Sequence, residues 1–321
     1  MNKKNYKKIA KKVIDLEIQA LRDLKSSINE SFSKAVEKIT KCSSKVILSG
    51  VGKSGLVAAK IASTLSSVGT PAYALSANDC SHGDLGSISK NDILILISNS
   101  GESRELKNII QYANRNRIFL IGIVAKKKSL LHKASDIKIL IPSVNEAGLG
   151  IVPTASTTAQ MAIGDALAIT VMYRKKFGKL DFKKFHPSGS LGAKLKTAED
   201  LMVVGDKIPF INENFKMKKA LEIITKKKLG FLIVHNSKKE TTGIITDGEI
   251  RRANQKNEYL QTKIVKKIMT RNPITIKKDT LATKALAIMN SKKITCLCIQ
   301  HDKNTKKTIG VLHIHGLLKY S

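Results

Sequence analysis

The sequence predicts an α/β protein in which a doubly wound parallel sheet, with helices on both faces, is followed by a duplicated α+β half. Two observations predict this fold class. Short apolar runs alternate with helical stretches from Val46 to about Tyr173, as in sheets whose parallel strands are connected by helices. From about residue 201 a different succession of segments occurs twice, which indicates an internal duplication.

The elements follow in order along the chain. Residues 6–41 are predicted to be helical, with an amphipathic face. Runs of mostly apolar residues predict the strands, which are Val46–Leu48, Ala72–Leu75, Ile93–Ile97, Phe119–Val124 and Ile137–Ile141. Helical stretches between and after them predict helices over roughly 54–67, 103–116, 127–134 and 155–173.

The second half repeats a unit of about 65 residues, which opens at Glu199–Met202 and again at Lys267–Thr270. Each unit runs through an extended segment into a helix and ends as strand, turn, strand, helix. Two such units can bury their apolar faces against each other, so we interpret this half as a small-molecule sensor or an oligomerisation module. The predicted boundaries are 1–40 for an N-terminal helical segment, 41–190 for the sheet domain, 191–200 for a linker, 201–263 for the first repeat and 264–321 for the second.

Composition limits the classes of function. At 321 residues and 42% hydrophobic content, the chain can form more than one core. It has no run of about 18 apolar residues, and no apolar segment follows its basic start, so neither a membrane span nor a secretory signal is predicted. The scattered cysteines indicate reduced thiols in a cytoplasmic protein; they are Cys42, Cys80, Cys296 and Cys298.

The formal net charge of +32 raises the question of a nucleic-acid partner. Most of the basic residues are lysines spread along the whole chain, aromatic residues make up 4%, and there is no Trp. Neither an RNA-binding aromatic motif nor a basic-helix pattern occurs. We therefore predict no specific nucleic-acid partner, and expect the charge to favour anionic substrates by electrostatic steering.

The most informative segment is the predicted strand Ile93–Ile97 with the turn that follows it. The turn carries Ser98, Ser100 and Ser103 around Gly101 and leads into a helix. Backbone N–H groups at a helix N-terminus bind phosphate, and serine hydroxyls add donors. The alternative is a Ser-Gly loop that only caps the helix.

A glycine-rich turn follows the predicted strand at Val46. It lacks the glycine that a nucleotide P-loop requires five residues before Gly52, because Ile47 stands there. It also lacks the acidic residue expected about 20 residues after a dinucleotide fingerprint. Two interpretations of the turn remain. Its backbone can approach a ligand closely and present Lys53 to it, or Lys53 is only a surface charge.

Polar clusters in other loops could supply proton transfer. Glu105 and Glu146 are candidate bases, and His82 and His186 are candidate acid–base groups near neutral pH. For each residue singly, a surface charge or a structural histidine is the simpler interpretation, and only their joint placement in loops at strand ends favours a functional one. No spacing predicts a metal site, and the His-x-His and Cys-x-Cys pairs of the second half are interpreted as structural.

Six motifs carry a family resemblance: Val51-Gly-Lys-Ser-Gly55, Ser81-His-Gly-Asp-Leu-Gly86, Ile97-Ser-Asn-Ser-Gly-Glu-Ser103, Pro153-Thr-Ala-Ser-Thr-Thr158, Gly164-Asp-Ala-Leu167 and His186-Pro-Ser-Gly189. With them, residues 41–190 resemble the sugar isomerase (SIS) domain, and residues 201–321 resemble a tandem pair of CBS repeats. The combination is similar to the D-arabinose 5-phosphate isomerase family over essentially the whole chain.

The resemblance implies an aldose–ketose isomerase that interconverts D-ribulose 5-phosphate and D-arabinose 5-phosphate through a cis-enediol, the first step of Kdo biosynthesis for lipopolysaccharide or capsule. It implies that Glu146 moves a proton between C1 and C2, with Glu105 as a second carboxylate. Lys53 would stabilise negative charge, and His186 would help proton movement. The residues implied to bind the substrate or its phosphate are Gly52, Ser54, His82, Ser98, Asn99, Ser100, Ser103 and Thr158.

The same resemblance implies a homotetramer that needs no redox cofactor, and no cofactor is predicted. Adenosyl-binding CBS repeats usually carry Thr/Ser-x-x-Asp, but Glu249 stands at the Asp position of the first repeat, and the second reads His313-Ile-His-Gly316. These departures count against a nucleotide, whereas another, unidentified effector at the CBS pair or a purely assembling role stays open.

Two alternatives for the whole chain remain. One is an isomerase for another phosphosugar, because the shape of the pocket rather than the motifs sets the substrate. The other is a sugar-phosphate-binding regulator that has lost the chemistry. Retention of Glu105, Glu146 and His186 together favours an enzyme.

Overall fold

A computed structural model of the chain describes residues 3–186, 195–256, 259–301 and 306–318. The chain forms two compact units, Met1–Phe182 and Lys183–Ser321. Most of the predicted motif His186–Gly189, and the first part of the predicted linker 191–200, lie outside the described residues. Within the described part of the chain, no helix is both long and apolar enough to cross a membrane.

The first unit contains a five-stranded parallel sheet, which confirms the predicted fold class. Its strand order is β2-β1-β3-β4-β5. Every residue of β1 and of β3 is buried, as expected for strands covered by helices on both faces. The strands are β1 Val46–Gly50, β2 Ala72–Ser76, β3 Ile93–Ser98, β4 Phe119–Val124 and β5 Ile137–Leu140.

Helices connect and cover these strands, and two short 3₁₀ helices, Asp79–His82 and Asp84–Ser87, follow β2. The α-helices are α1 Lys3–Ser27, α2 Glu30–Thr40, α3 Lys53–Ser67, α4 Arg104–Arg115, α5 Leu130–Ala134, α6 Ala155–Arg174 and α7 Lys179–Phe185. The segment predicted as helical over 6–41 is helical but forms two helices, because the backbone of Asn29 is extended. The Asn29 side chain accepts a hydrogen bond from the Ser31 N–H and starts α2 as a new helix.

Helices α3 and α6 pack closely against each other on one face of the sheet. A side chain at Gly164 of α6 would lie 2.1 Å from Ile61 of α3, so only glycine permits this approach. Because α3 follows β1 and α6 follows β5, both helices begin at the edge of the sheet where its strands end. The packing therefore brings two helix N-termini together at that edge.

The second unit confirms the predicted duplication. The first repeat contains α8 Ala198–Leu201, β6 Val203–Val204, β7 Phe210–Asn212, α9 Met217–Lys227, β8 Phe231–His235, β9 Thr241–Thr246 and α10 Asp247–Lys256. The second contains β10 Thr270–Arg271, β11 Thr275–Lys277, α11 Ala282–Lys292, β12 Cys296–Gln300, β13 Thr308–His313 and α12 Ile314–Leu317. Three 3₁₀ turns connect these elements, at Gly205–Lys207, Leu260–Thr262 and Val265–Lys267.

The two repeats exchange short strands. One sheet has the order β10-β9-β8-β7 and the other β11-β12-β13-β6, so each sheet takes its short edge strand from the other repeat. A shared core lies between the sheets and includes Phe231 and Ile233 of the first repeat with Cys296 and Cys298 of the second. Burial raises the pKa of both thiols, so these cysteines are packing residues, as interpreted from the sequence.

Candidate active site

The turn between β3 and α4 is shaped by its first serine. The Ser98 hydroxyl accepts a hydrogen bond from the Gly101 N–H at 3.0 Å and lies 3.2 Å from the Ser103 hydroxyl. Gly101 has a φ of 67°, and a side chain there would meet Ser129 at 2.2 Å. This tight turn therefore requires both the glycine and the Ser98 hydroxyl.

Donors at this turn face the edge of the sheet. Helix α4 begins after Ser103, whose side chain makes no capping hydrogen bond, so the turn is not the simple helix cap considered as the alternative. Ser98 is 4% exposed and serves the turn itself, whereas Ser100 and Ser103 are half-buried. An anion at the start of α4 would meet free backbone N–H groups and these two hydroxyls.

The turn between β1 and α3 is built by close backbone contacts. Side chains at Gly50 and Gly55 would each approach backbone atoms of the turn to 2.8 Å or less. Gly52 has a φ of 58°, which favours glycine, and it precedes Lys53, the first residue of α3. The Lys53 side chain is exposed and has no ion pair with any described residue. Its ammonium group is thus available to a ligand at this edge.

A buried amide joins α3 to α6. The Ser54 hydroxyl donates to the Gln160 side-chain carbonyl at 3.0 Å, and Gln160 is fully buried. The amide nitrogen of Gln160 has no hydrogen-bond partner within the described part of the chain. The Ser54 hydroxyl is therefore the polar contact that is observed for the Gln160 side chain. This hydrogen bond holds the start of α3 against the second turn of α6.

Glu146 is held at the start of α6. One oxygen of its carboxylate accepts from the Thr154 N–H at 2.8 Å, the Thr154 hydroxyl at 3.3 Å and the Ser156 N–H at 3.3 Å. The loop closes through a bridge between Ala147 and Val152, with left-handed backbone at Gly148 and the residues after it. The carboxylate thus takes the place of a helix cap.

The environment of Glu146 keeps its carboxylate ionised. Burial is the largest single influence and raises the pKa, but hydrogen bonds from Ser156 and Thr154 together outweigh it. The net result is a pKa below the usual value for glutamate. At neutral pH this group can accept a proton, as a general base must.

A series of contacts places the Glu146 carboxylate, Lys53 and the serine turn along one edge of the sheet. Ser156, which binds Glu146, lies four residues before Gln160 on the same helix, a rise of about 6 Å along the helix axis. Gln160 contacts Ser54, beside Lys53. The turn that carries Lys53 follows β1, which pairs with β3 about 4.8 Å away and so lies beside the serine turn. The Glu146 carboxylate, the Lys53 ammonium group and the hydroxyls of the serine turn therefore lie along the same edge of the sheet, at the carboxyl ends of its strands.

The remaining predicted residues occupy several places. Glu105 is exposed in the first turn of α4, and His82 is exposed at the end of its 3₁₀ helix. Asn99 is exposed and its carbonyl accepts from Ala125, and Thr158 is half-buried in α6. His186 follows α7 in the second unit, so its part in the site stays a prediction.

A cavity of about 290 Å³ opens beside the β1–α3 turn. Its wall is formed by the turn around Gly52 and by the end of β2, and it is lined mainly by small apolar residues. It includes neither Glu146 nor the serine turn. The cavity borders the turn that carries Lys53.

Comparisons with known proteins identify the family. The SIS domain model matches residues 38–170, and the CBS domain model matches residues 198–256 and 265–321. The arabinose 5-phosphate isomerase KdsD of Yersinia pestis is 38% identical over 98% of this chain and 96% of its own length. The chain belongs to the arabinose 5-phosphate isomerase family. The resemblance stated from the sequence motifs is thus confirmed, and the protein is an isomerase.

Other relatives agree. The KdsD enzyme of Escherichia coli K12 is 35% identical over 98% of the chain. A solved E. coli CFT073 protein in complex with arabinose 5-phosphate covers 58% of this chain and all of its own, at 34% identity and a TM-score of 0.57. A putative sugar-phosphate isomerase of Listeria monocytogenes covers 59% at 32% identity, with the same TM-score.

The sequence predicts no role for the residues that hold Glu146 and the start of α3. Thr154 and Ser156 stand only within the motif Pro153-Thr-Ala-Ser-Thr-Thr158, and Gln160 lies outside every motif. The available signal was a single amide in an otherwise apolar helical stretch, where a polar side chain needs a buried partner.

We predict that Ser54→Ala destabilises the first unit, because Gln160 would keep a fully buried amide with no remaining partner. The expected loss is roughly 1–3 kcal/mol, measured by thermal and urea unfolding. Ser67→Ala is the matched control, since its hydroxyl binds only a carbonyl of its own helix. Equal effects of the two substitutions would contradict the role assigned to the contact.

Proposed function

We propose that the isomerase interconverts D-ribulose 5-phosphate and D-arabinose 5-phosphate through a cis-enediol. The observation that carries this proposal is the ionised carboxylate of Glu146, fixed at the sheet edge that also carries the serine turn and Lys53. The substrate named for the KdsD relatives, and the arabinose 5-phosphate bound to the solved E. coli protein, support the same pentose phosphate.

The 5-phosphate would bind at the β3–α4 turn. The uncapped start of α4 offers backbone N–H groups and the positive end of the helix dipole. Ser100 and Ser103 add hydroxyl donors, with Asn99 beside them, while Ser98 keeps the turn in shape. Binding the phosphate there fixes one end of the opened sugar, so that C1 and C2 extend toward the other turns.

Glu146 would take a proton from C1 of ribulose 5-phosphate while the C2 carbonyl oxygen gains one, giving the enediol. Return of a proton to C2 and loss of the proton from the C1 hydroxyl then give the aldose. Lys53 would stabilise negative charge on the enediol oxygens. Glu105, His82 and His186 are the proposed additional proton-transfer or sugar-binding groups. The reaction moves only protons and electron pairs within the substrate, so we invoke no cofactor.

The wider setting is part of the proposal. Arabinose 5-phosphate would feed Kdo synthesis for lipopolysaccharide or capsule in the cytoplasm, and the enzyme would act as a homotetramer. Assembly is supported by the loop beside Glu146, where Leu149 is 97% exposed and Ile151 is 75% exposed. Large apolar side chains projecting from a loop are characteristic of surfaces that become buried against another protein chain.

We predict that purified protein converts ribulose 5-phosphate to arabinose 5-phosphate, followed by NMR, and that Glu146→Gln lowers kcat by at least about 100-fold. Binding of the phosphosugar by calorimetry should persist, because the phosphate site is separate. The exposed Glu37 provides the control Glu37→Gln, which should match the wild type. Full activity of the Glu146→Gln variant would show that Glu146 is not the base. If the protein turned over only a different phosphosugar, the alternative substrate would be favoured.

The hydrogen bonds to Glu146 also predict a pH effect. A base acts in its ionised form, so kcat/KM is lost as pH falls through the pKa of Glu146. Thr154→Ala removes a hydrogen bond that lowers this pKa, and the acidic limb of kcat/KM should therefore move to higher pH. Thr157→Ala is the control, because its hydroxyl binds the Thr154 carbonyl and not the carboxylate. Superimposable profiles for the two variants would argue against Glu146 as the titrating base.

A further inference from the structure

The serine turn is held from one side by the chain that follows the neighbouring strand. Strand β4 pairs in parallel with β3, with Val124 beside Ser98, so the two strands end together. The chain after β4 therefore passes alongside the turn after β3. We refer to residues 125–131, which connect β4 to α5 and include the start of that helix, as the β4–α5 segment.

Two main-chain hydrogen bonds join this segment to the serine turn. The Ala125 N–H donates to the Asn99 carbonyl at 3.2 Å, and the Leu131 N–H donates to the Gly101 carbonyl at 3.0 Å. Gly101 also approaches Ser129 so closely that a side chain there would meet its hydroxyl at 2.2 Å. Ser129 is itself buried, and its hydroxyl donates to a carbonyl of the same segment. The turn thus packs on a structured part of the chain.

One side chain of the turn takes part in this contact. The Glu102 carboxylate accepts from the Leu130 N–H at 2.9 Å, although the two residues are 28 apart in the chain. Leu130 is the first residue of α5, and an N–H at that position has no partner within its own helix. The Glu102 N–H in turn donates to the Ser100 hydroxyl at 3.3 Å. Glu102 therefore connects one of the proposed phosphate-binding serines to the β4–α5 segment.

A carboxylate at this position is unexpected on electrostatic grounds. The turn is proposed to bind a phosphate, and like charges at close range repel each other. Glu102 stands between Ser100 and Ser103, the two hydroxyl donors, so its charge weakens phosphate binding unless another effect compensates. The structure offers one such effect, which is the hydrogen bond that fixes the turn to the β4–α5 segment.

We propose that Glu102 is a positioning residue of the phosphate site, which acts through its hydrogen bond to Leu130 and not through contact with the substrate. The bond holds residues 100–103 in the conformation that presents the Ser100 and Ser103 hydroxyls and the free N–H groups at the start of α4. This inference rests on the proposed function, in which the 5-phosphate binds at this turn. A turn that is already ordered loses less conformational freedom when phosphate binds, so the affinity is higher.

The first test compares two substitutions of Glu102 in the full chain. Glu102→Ala removes the acceptor, and we expect KM for ribulose 5-phosphate to rise about tenfold with little change in kcat, because the ground and transition states share phosphate binding. Glu102→Gln keeps a carbonyl oxygen for the Leu130 N–H and should restore KM to within about twofold of the wild type. Glu37→Ala removes an exposed glutamate of α2 and should change neither constant.

Two outcomes of this comparison would overturn the proposal. One is an unchanged or lowered KM in Glu102→Ala, which is the result that charge repulsion alone predicts. The other is a KM in Glu102→Gln that rises as far as in Glu102→Ala, because the hydrogen bond would then not be what the carboxylate contributes.

The second test removes the donor instead of the acceptor. Leu130→Pro deletes the N–H at the first helical position, where proline is accepted, and the extended backbone of Ser129 suits a following proline. We expect the same rise in KM as in Glu102→Ala, and no further rise when the two are combined. Leu130→Ala is the matched control, since it keeps the N–H and loses only side-chain packing. Additive effects of the two substitutions, or an equal rise in the control, would refute the role of this contact.

Binding of inorganic phosphate, measured by calorimetry, separates this inference from the function on which it rests. A variant with Ser100→Ala and Ser103→Ala should lose phosphate affinity, and Glu102→Ala should lose about tenfold, with circular dichroism showing that both are folded. Wild-type affinity in the double serine variant would remove the phosphate site, and this inference with it. Wild-type affinity in Glu102→Ala alone would leave the phosphate site and remove the inference.

Discussion

The hydrogen bonds between Glu146 and the start of α6 are the interaction on which the proposed active site depends. They fix the carboxylate in space and keep it ionised despite partial burial, since the donors outweigh the cost of removing the charge from water. A carboxylate held in this way takes no part in an ion pair with a described residue. It is both positioned and chemically available, which a surface glutamate is not.

The position of α6 is set in turn by its contact with α3. Gly164 lets the two helices approach until Ile61 fills the space that a side chain would take. The hydrogen bond between Ser54 and Gln160 then fixes their first turns at the sheet edge. The same packing that stabilises the first unit therefore aligns Glu146, the proposed base, with the turn that carries Lys53. Stability and geometry of the site are not separable here.

The second unit uses its polar residues differently. In the first unit, loop carboxylates and hydroxyls stay accessible at the ends of strands, where a ligand can reach them. In the CBS pair, Glu249 accepts hydrogen bonds from Thr246 of its own repeat and from Thr270 of the other, and it forms an ion pair with Arg252. The exchange of edge strands connects the two repeats.

The sequence by itself determined the fold class, the strands of the first unit, the duplication and the serine turn, because burial and periodicity act over a few residues. It did not determine the break at Asn29, where a single side chain starts a new helix. Nor could it assign roles to Thr154, Ser156 and Gln160. Gln160 is distant in the chain from its partner Ser54, and Thr154 and Ser156 bind Glu146 through backbone N–H groups. Only the tertiary structure decided that Ser98 serves the turn itself and that Glu249 is occupied. Hydrogen-bond partners are set by packing in three dimensions, which local sequence patterns do not encode.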